Sequence, residues 1–265
     1  MSGSRMSTPD AWAALRRLSP ARIALGRAGG SLPTAELLAF SAAHAAAKDA
    51  VGSALDLDAL AAALAPLGLP VLAVASQAPD RLTYLQRPDL GRRLSAPDEA
   101  LLSAAGAGGP FDVAIVIGDG LSATAAQRHA PAVTAGLVAA LRAAGLTLAP
   151  ICLVTQARVA IEDPIGAALC ARMAVILLGE RPGLGSPDSL GAYLVHAPGP
   201  GRTDAERNCV SNIRPEGLPP PAAVRLLAWL VEEALRRRLS GVALKDERGL
   251  TAADADGRLP GGGGA

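Results

Sequence analysis

Aromatic side chains are scarce in this sequence. Its 265 residues include two Trp, two Tyr and two Phe, although half of the chain is apolar. A core must therefore come from aliphatic side chains, with helices drawn close through the abundant alanine. Charge of one sign is also lacking. The 25 basic and 24 acidic residues leave a net charge of +1, which gives no electrostatic footprint for nucleic acid or an anionic membrane. No apolar run reaches the length of a membrane span, and the start, MSGSRMSTPD, has no signal-peptide apolar region. A cytoplasmic chain is expected.

Metal and enzyme signatures are missing as well. Cys152, Cys170 and Cys209 are widely spaced, with no CxxC and no Cys/His cluster. No metal site is expected, and each cysteine reads as a small buried hydrophobe. His44, His129 and His196 have no Cys or acid at ligand spacing. There is no P-loop, no dinucleotide fingerprint and no GxSxG elbow. No catalytic residue is assigned to this chain.

What is present is an α/β pattern. The polar residues 1–8 and the Gly-rich end 246–265 read as disordered. Residues 9–105 read as a mainly helical N-terminal domain. Its longest helix spans Ala35–Leu55, with Ser31 as N-cap, Pro33 at the helix start and an apolar side of Leu37, Leu38, Ala45 and Val51. Val71–Ser76 and Leu82–Leu85 read as short strands, and Arg87–Leu94 as a connecting loop or helical turn. The GAGGP stretch at 106–110 marks a boundary.

Residues 106–245 read as an α/β domain, in which strand–helix–strand alternation from 111 to 196 argues for a mostly parallel sheet. Asp112–Ile117, Pro150–Val154 and Met173–Leu178 are continuous apolar runs of strand length, and Ala192–His196 is a fourth candidate. Leu121–Gly145 is helical, with an interruption at Pro131, and Pro219–Leu239 is an amphipathic helix carrying Glu232–Arg236 and Glu233–Arg237 pairs. Asn208–Ile213, with two Asn and a Ser around Cys209, reads as a turn.

Loops at the carboxyl ends of parallel strands are the ligand edge of such a sheet. Asp119, between two glycines, fits either a ligand-facing carboxylate or a helix-capping turn. Glu180, in Gly179-Glu-Arg-Pro-Gly-Leu-Gly185, fits a surface ion pair slightly better than an acceptor for amide-bearing groups. Glu162 and Asp163 fit acids in a first helical turn. These residues support a ligand edge but no particular reaction.

Six stretches together resemble one family: ARIALGRAG (21–29), YLQRPDLGRRL (84–94), VIGDGLSATA (116–125), RVAIEDPIG (158–166), ILLGERPGLGSPDSL (176–190) and NCVSNI (208–213). The chain resembles the small subunit of adenosylcobalamin-dependent ethanolamine ammonia-lyase. The resemblance implies conversion of ethanolamine to acetaldehyde and ammonia by a radical mechanism that starts with homolysis of the cofactor's cobalt–carbon bond. It implies that a TIM-barrel large subunit binds ethanolamine and performs the chemistry, while the small subunit, a helical N-terminal region followed by a Rossmann-like domain at 106–245, closes over the cobalamin. It implies a hetero-oligomer with six of each chain, often housed in a bacterial microcompartment. Carried over by motif, the cofactor contacts are Val159, Glu180 and Cys209. The chain lacks the Asp-x-His-x-x-Gly motif, which fits a cofactor that keeps its own dimethylbenzimidazole. Two other readings remain: a stand-alone cobalamin- or nucleotide-binding module, and an interaction protein that docks through an Ala-rich helical face.

Overall fold

The structure is a computed structural model that describes residues 12–18, 21–27 and 29–246. The expected disordered start, 1–8, and all but the first residue of the 246–265 tail lie outside these.

One six-stranded sheet organises the chain, in the order β1-β3-β2-β4-β5-β6. The strands are β1 (Val71–Ala75), β2 (Phe111–Gly118), β3 (Ile151–Thr155), β4 (Ala171–Gly179), β5 (Leu190–His196) and β6 (Arg207–Ile213). The first four pair in parallel, while β5 and β6 add as antiparallel strands beside β4. The sheet thus draws its edge strand β1 from the mainly helical stretch ahead of residue 106.

Successive side chains of a strand point to opposite faces, so each central strand feeds two cores. On one face Val113, Ile115, Ile117, Met173, Val175 and Leu177 pack with helices α3 (Leu57–Leu64), α6 (Ala123–Ala143) and α8 (Pro220–Arg237). On the other, Val116, Cys152, Val154, Ile176 and Leu178 pack with Leu102 of α5 (Ala96–Gly106) and Ile165 of α7 (Glu162–Ala168). Burial on both faces is why these strands are continuous apolar runs. Small residues close the helix layer: a Cβ on Gly136 of α6 would lie 2.8 Å from a Val224 methyl of α8.

Several local expectations change. Leu82–Leu85 is not a strand but lies in a helix, α4 (Arg81–Gln86), started by Asp80, whose carboxylate accepts the Thr83 N–H at 2.8 Å. Asn208–Ile213 is not a turn but part of β6. Its buried residues are Arg207, Val210 and Ile213, with exposed or half-buried positions between them, so those positions can be polar. Helix α6 continues through Pro131, because Ala130, Val133 and Leu137 around it are fully buried and packing outweighs the lost backbone bond. Helix α2 (Thr34–Gly52) is capped at Pro33 rather than Ser31, with no side-chain cap bond. Its expected apolar side is largely exposed at Leu37 and Leu38, and its buried residues are Ala47 and Ala50. At the end of α8, Arg236 and Arg237 both pair with Glu233. Among the described residues no single helix is long and apolar enough to cross a membrane.

Candidate functional site

The parallel pairing brings the loops after β2, β3 and β4 to one edge. They meet closely. Leu121 N–H donates to the Gly179 carbonyl at 2.8 Å, and Gly120, at φ +56°, has no room for a Cβ, which would lie 2.2 Å from that oxygen. Asp119 is buried here. Its two carboxylate oxygens accept the Gln156 and Ala157 N–H groups, each at 2.8 Å, with Arg81 Nη1 3.6 Å away. Both oxygens thus serve the protein, tying the β2 end to the turn after β3. Burial raises the Asp119 pKa against the pull of those N–H groups and of Arg81. The cap of α6 is Ser122, which accepts the Ala125 N–H at 3.2 Å.

The segment after β1 clamps the same turn. Tyr84 is fully buried between two guanidiniums, Arg81 4.6 Å and Arg158 4.2 Å from its ring centre. Its hydroxyl donates to the Ala157 carbonyl at 3.0 Å, and burial pushes the phenol up to about 12. Arg158 N–H donates to the Gly91 carbonyl at 2.8 Å. Gly91 is needed for that approach, since a Cβ there would lie 2.7 Å from Arg158 Cγ. The stretch Arg87–Leu94, read from sequence as a connector, is therefore one wall of the site, with a short helical turn over Leu90–Arg92.

Two cavities open at this edge. One, of about 390 Å³, is lined by Arg92, Arg158, Val159, Tyr193 and Cys209, among others. The other, of about 370 Å³, is lined by Leu121, Leu178, Glu180 and Arg181 together with the same Arg158, Val159 and Tyr193. The shared residues join the two into one groove. It brings together the three positions singled out from sequence. Val159 sits half-buried in the short turn Val159–Ile161. Glu180 accepts bonds from the Ser189 hydroxyl and, at 3.3 Å, from the Asn212 N–H. Gly191 leaves space for that carboxylate, because a Cβ would stand 2.8 Å from Glu180 Oε1.

Cys209 faces Tyr193 across the β5–β6 ladder. Contrary to the expectation for all three cysteines, it is exposed, as is Cys170, and Cys152 alone is buried. Cys209 is one of the exposed positions of the outer strand β6. Packing against neighbours still pushes its thiol pKa up, partly offset by its hydrogen bond with Tyr193.

Behind the groove lies a buried ionic node that sequence spacing does not reveal. Arg207 of β6 donates to Glu162 at 2.7 Å and to Asp163 at 3.0 Å, with a second bond to Asp163. The acids do sit in the first turn of α7, but they are buried and face β6 rather than solvent. One guanidinium serves two carboxyls, and Glu162 Oε2 has no hydrogen-bond partner among the described residues. Burial pushes the Glu162 carboxyl up to about 8, ahead of the opposing pull of Arg207.

The histidines stand apart from the groove's chemistry. His129 is buried and meets Asp188 at 3.3 Å, His44 stacks on Phe40, and the half-buried His196 has its pKa lowered by burial. Among the described residues no group of His, Cys, Asp and Glu could hold a metal ion. The groove offers apolar walls, the carboxylates of Glu180 and Asp204, and guanidinium donors. That combination suits a large ligand with amide groups at its rim.

Fold and groove define a Rossmann-like α/β protein with a ligand edge at the carboxyl ends of its parallel strands. Comparison with known proteins narrows the class. The ethanolamine ammonia-lyase light chain family matches residues 9–245. A protein of Ralstonia nicotianae described as ethanolamine ammonia-lyase small subunit is 57% identical over 241 residues, covering 90% of this chain and 89% of that one. A protein of the same description from Azotobacter vinelandii is 56% identical over 263 residues, covering 98% and 97%. Another, from Xanthomonas campestris, is 55% identical over 251 residues, covering 91% and 92%. The chain belongs to the ethanolamine ammonia-lyase light chain family.

Proposed function

We infer that this chain is the small subunit of an ethanolamine ammonia-lyase and closes over adenosylcobalamin where it meets the large subunit. The observation that carries this reading is the joining of Val159, Glu180 and Cys209 in one groove, in a chain of this family. The residues fit the group. A corrin rim bears carboxamides, which donate and accept; Glu180 can accept, and Arg158, whose buried Nε has no hydrogen-bond partner among the described residues, adds a cation. Val159 and Tyr193 supply apolar contact for a flat macrocycle.

When bound, adenosylcobalamin supplies the cobalt–carbon bond whose homolysis starts the conversion of ethanolamine to acetaldehyde and ammonia. This chain's part is binding and enclosure. Glu180 accepts a hydrogen bond from a rim amide, Val159 packs against the ring, and Cys209 makes a weak contact beside Tyr193. Among the described residues no His ring hydrogen-bonds a Ser, Thr or Cys side chain, so no activated nucleophile is assigned here. Ethanolamine binds to the large subunit. The assembly has six of each chain and works in the cytoplasm, within a microcompartment where the host builds one.

Reconstitution tests the reading. Ammonia release should require this chain, the large subunit and adenosylcobalamin together, and the chain alone should bind cobalamin weakly because its groove covers one side of the ligand. In the complex, Glu180→Ala should weaken cobalamin binding by about ten- to a hundredfold, the worth of one charge-assisted hydrogen bond. Unchanged affinity would remove Glu180 from the contact set. Tight binding by the isolated chain would favour a stand-alone module instead.

A further inference from the structure

The turn Leu90–Arg92 is pinned but its arginine is not. Arg158 N–H holds the Gly91 carbonyl, and on the far side Gln77 N–H holds the Arg93 carbonyl at 2.9 Å. Arg92 itself is exposed, lines the groove beside Arg158, and forms no ion pair among the described residues. It also lines a further cavity of about 460 Å³, with Arg93, Arg202 and Ala160, which continues the groove past Val159.

The carboxylates nearby are largely committed. Asp163 binds Arg207, and Glu206 holds Arg202. Asp204 stands 3.6 Å from Arg207, and Glu99 is an exposed residue at the rim of the further cavity. Arg158 also forms no ion pair among the described residues; it is held by Tyr84, through the ring and through the Tyr84 carbonyl at 3.2 Å. Two guanidiniums that form no ion pair among the described residues thus share one cavity of the groove, whose one lining carboxylate, Asp204, stands beside Arg207 instead. A neutral carboxamide rim does not call for such a pair, whereas an anion does.

We propose that Arg92, with Arg158 beside it, seats the phosphodiester of the cofactor's nucleotide tail, the tail running from the groove toward the Arg92–Arg93 cavity. The proposal rests on the reading of the groove as a cobalamin site. It adds an anion subsite to a groove otherwise suited to a neutral ring, and it gives the Arg87–Leu94 turn a binding role beyond bracing Arg158.

The test uses the complex of the full chain with its large subunit and two probes titrated by their absorbance. Cyanocobalamin carries the phosphodiester and nucleotide; dicyanocobinamide is the same corrin without them. Arg92→Met should weaken cyanocobalamin binding tenfold or more, in the range of a charge-assisted bond, and leave dicyanocobinamide binding within about twofold. Added salt should weaken cyanocobalamin more steeply than dicyanocobinamide in the unmodified complex. Equal loss for both probes, or no loss for either, overturns the phosphodiester assignment while leaving the groove a corrin site. If the unmodified complex binds neither probe, the corrin reading itself fails and the subsite falls with it.

Discussion

Two buried arginine nodes brace the groove, and they are built on different charge arithmetic. In the first, Arg81 stands opposite one acid, Asp119, whose oxygens also take two backbone N–H groups. In the second, Arg207 stands between two acids, Glu162 and Asp163, and Glu162 Oε2 has no hydrogen-bond partner among the described residues. The first is balanced and ties loop to loop through the main chain. The second carries one acid too many for its cation, and it ties β6, which bears Cys209, to the turn that bears Val159. Holding a groove's walls at a fixed spacing thus draws on backbone bonding at one end and on side-chain charge at the other. The two should respond differently to mutation and to pH.

The largest expected effect comes from breaking the charged node. Arg207→Met leaves two acids buried with no cation, and should destabilise the full chain by about 3–5 kcal/mol in urea unfolding, as for other buried pairs that lose one member. A cost under 1 kcal/mol would mean that solvent reaches Glu162 and Asp163. Next comes the balanced node. Asp119→Asn turns one acceptor into an N–H₂ that faces a backbone N–H and removes the counter-charge of Arg81. A cost of about 1–3 kcal/mol is expected, with loosened hydrogen-exchange protection at Gln156 and Ala157. Unchanged protection there would show that the turn is held by Tyr84 and Gly91 rather than by Asp119.

The nodes also mark where sequence reasoning stops. Strands β2, β3 and β4 were legible because burial on both faces writes a continuous apolar run. Strand β6 was not, because half-burial and two Asn imitate a turn, and α4 was missed because four residues around Tyr84 carry no period. Within the site, Glu180 was placed near a ligand edge by its position after a strand, while the assignment of Val159, Glu180 and Cys209 as cofactor contacts came from family motifs. Arg207 and Tyr84 gave no local signal. Their partners lie 45 and 73 residues away, at Glu162 and Ala157, and each half reads alone as an ordinary surface or strand residue. The family motifs YLQRPDLGRRL and RVAIEDPIG make physical sense only together, as the two sides of one clamp.

Smallest of the three at pH 5, and the sharpest on the comparison because it grows with pH, is the effect of Glu162→Gln. The ordinary glutamate value is 4.5, and burial pushes this carboxyl up to about 8 in the folded chain. Between those values the folded chain holds a proton that the unfolded chain has lost. Its contribution to stability is therefore complete below about pH 4.5, falls as pH rises, and is lost as pH passes about 8. One proton corresponds to a slope approaching about 1.4 kcal/mol per pH unit. At pH 5 the amide replaces a protonated acid of the same shape and should change stability by less than about 1 kcal/mol. At pH 8 and above the variant should be the more stable chain, because glutamine has no charge to bury. Urea unfolding of both chains from pH 5 to pH 9 reads this directly, and subtracting one profile from the other cancels the titration of every group they share. Parallel profiles would mean that Glu162 is ionised when buried. Arg207 would then carry two full negative charges, and the contrast with the balanced Asp119 node would be one of strength rather than of protonation.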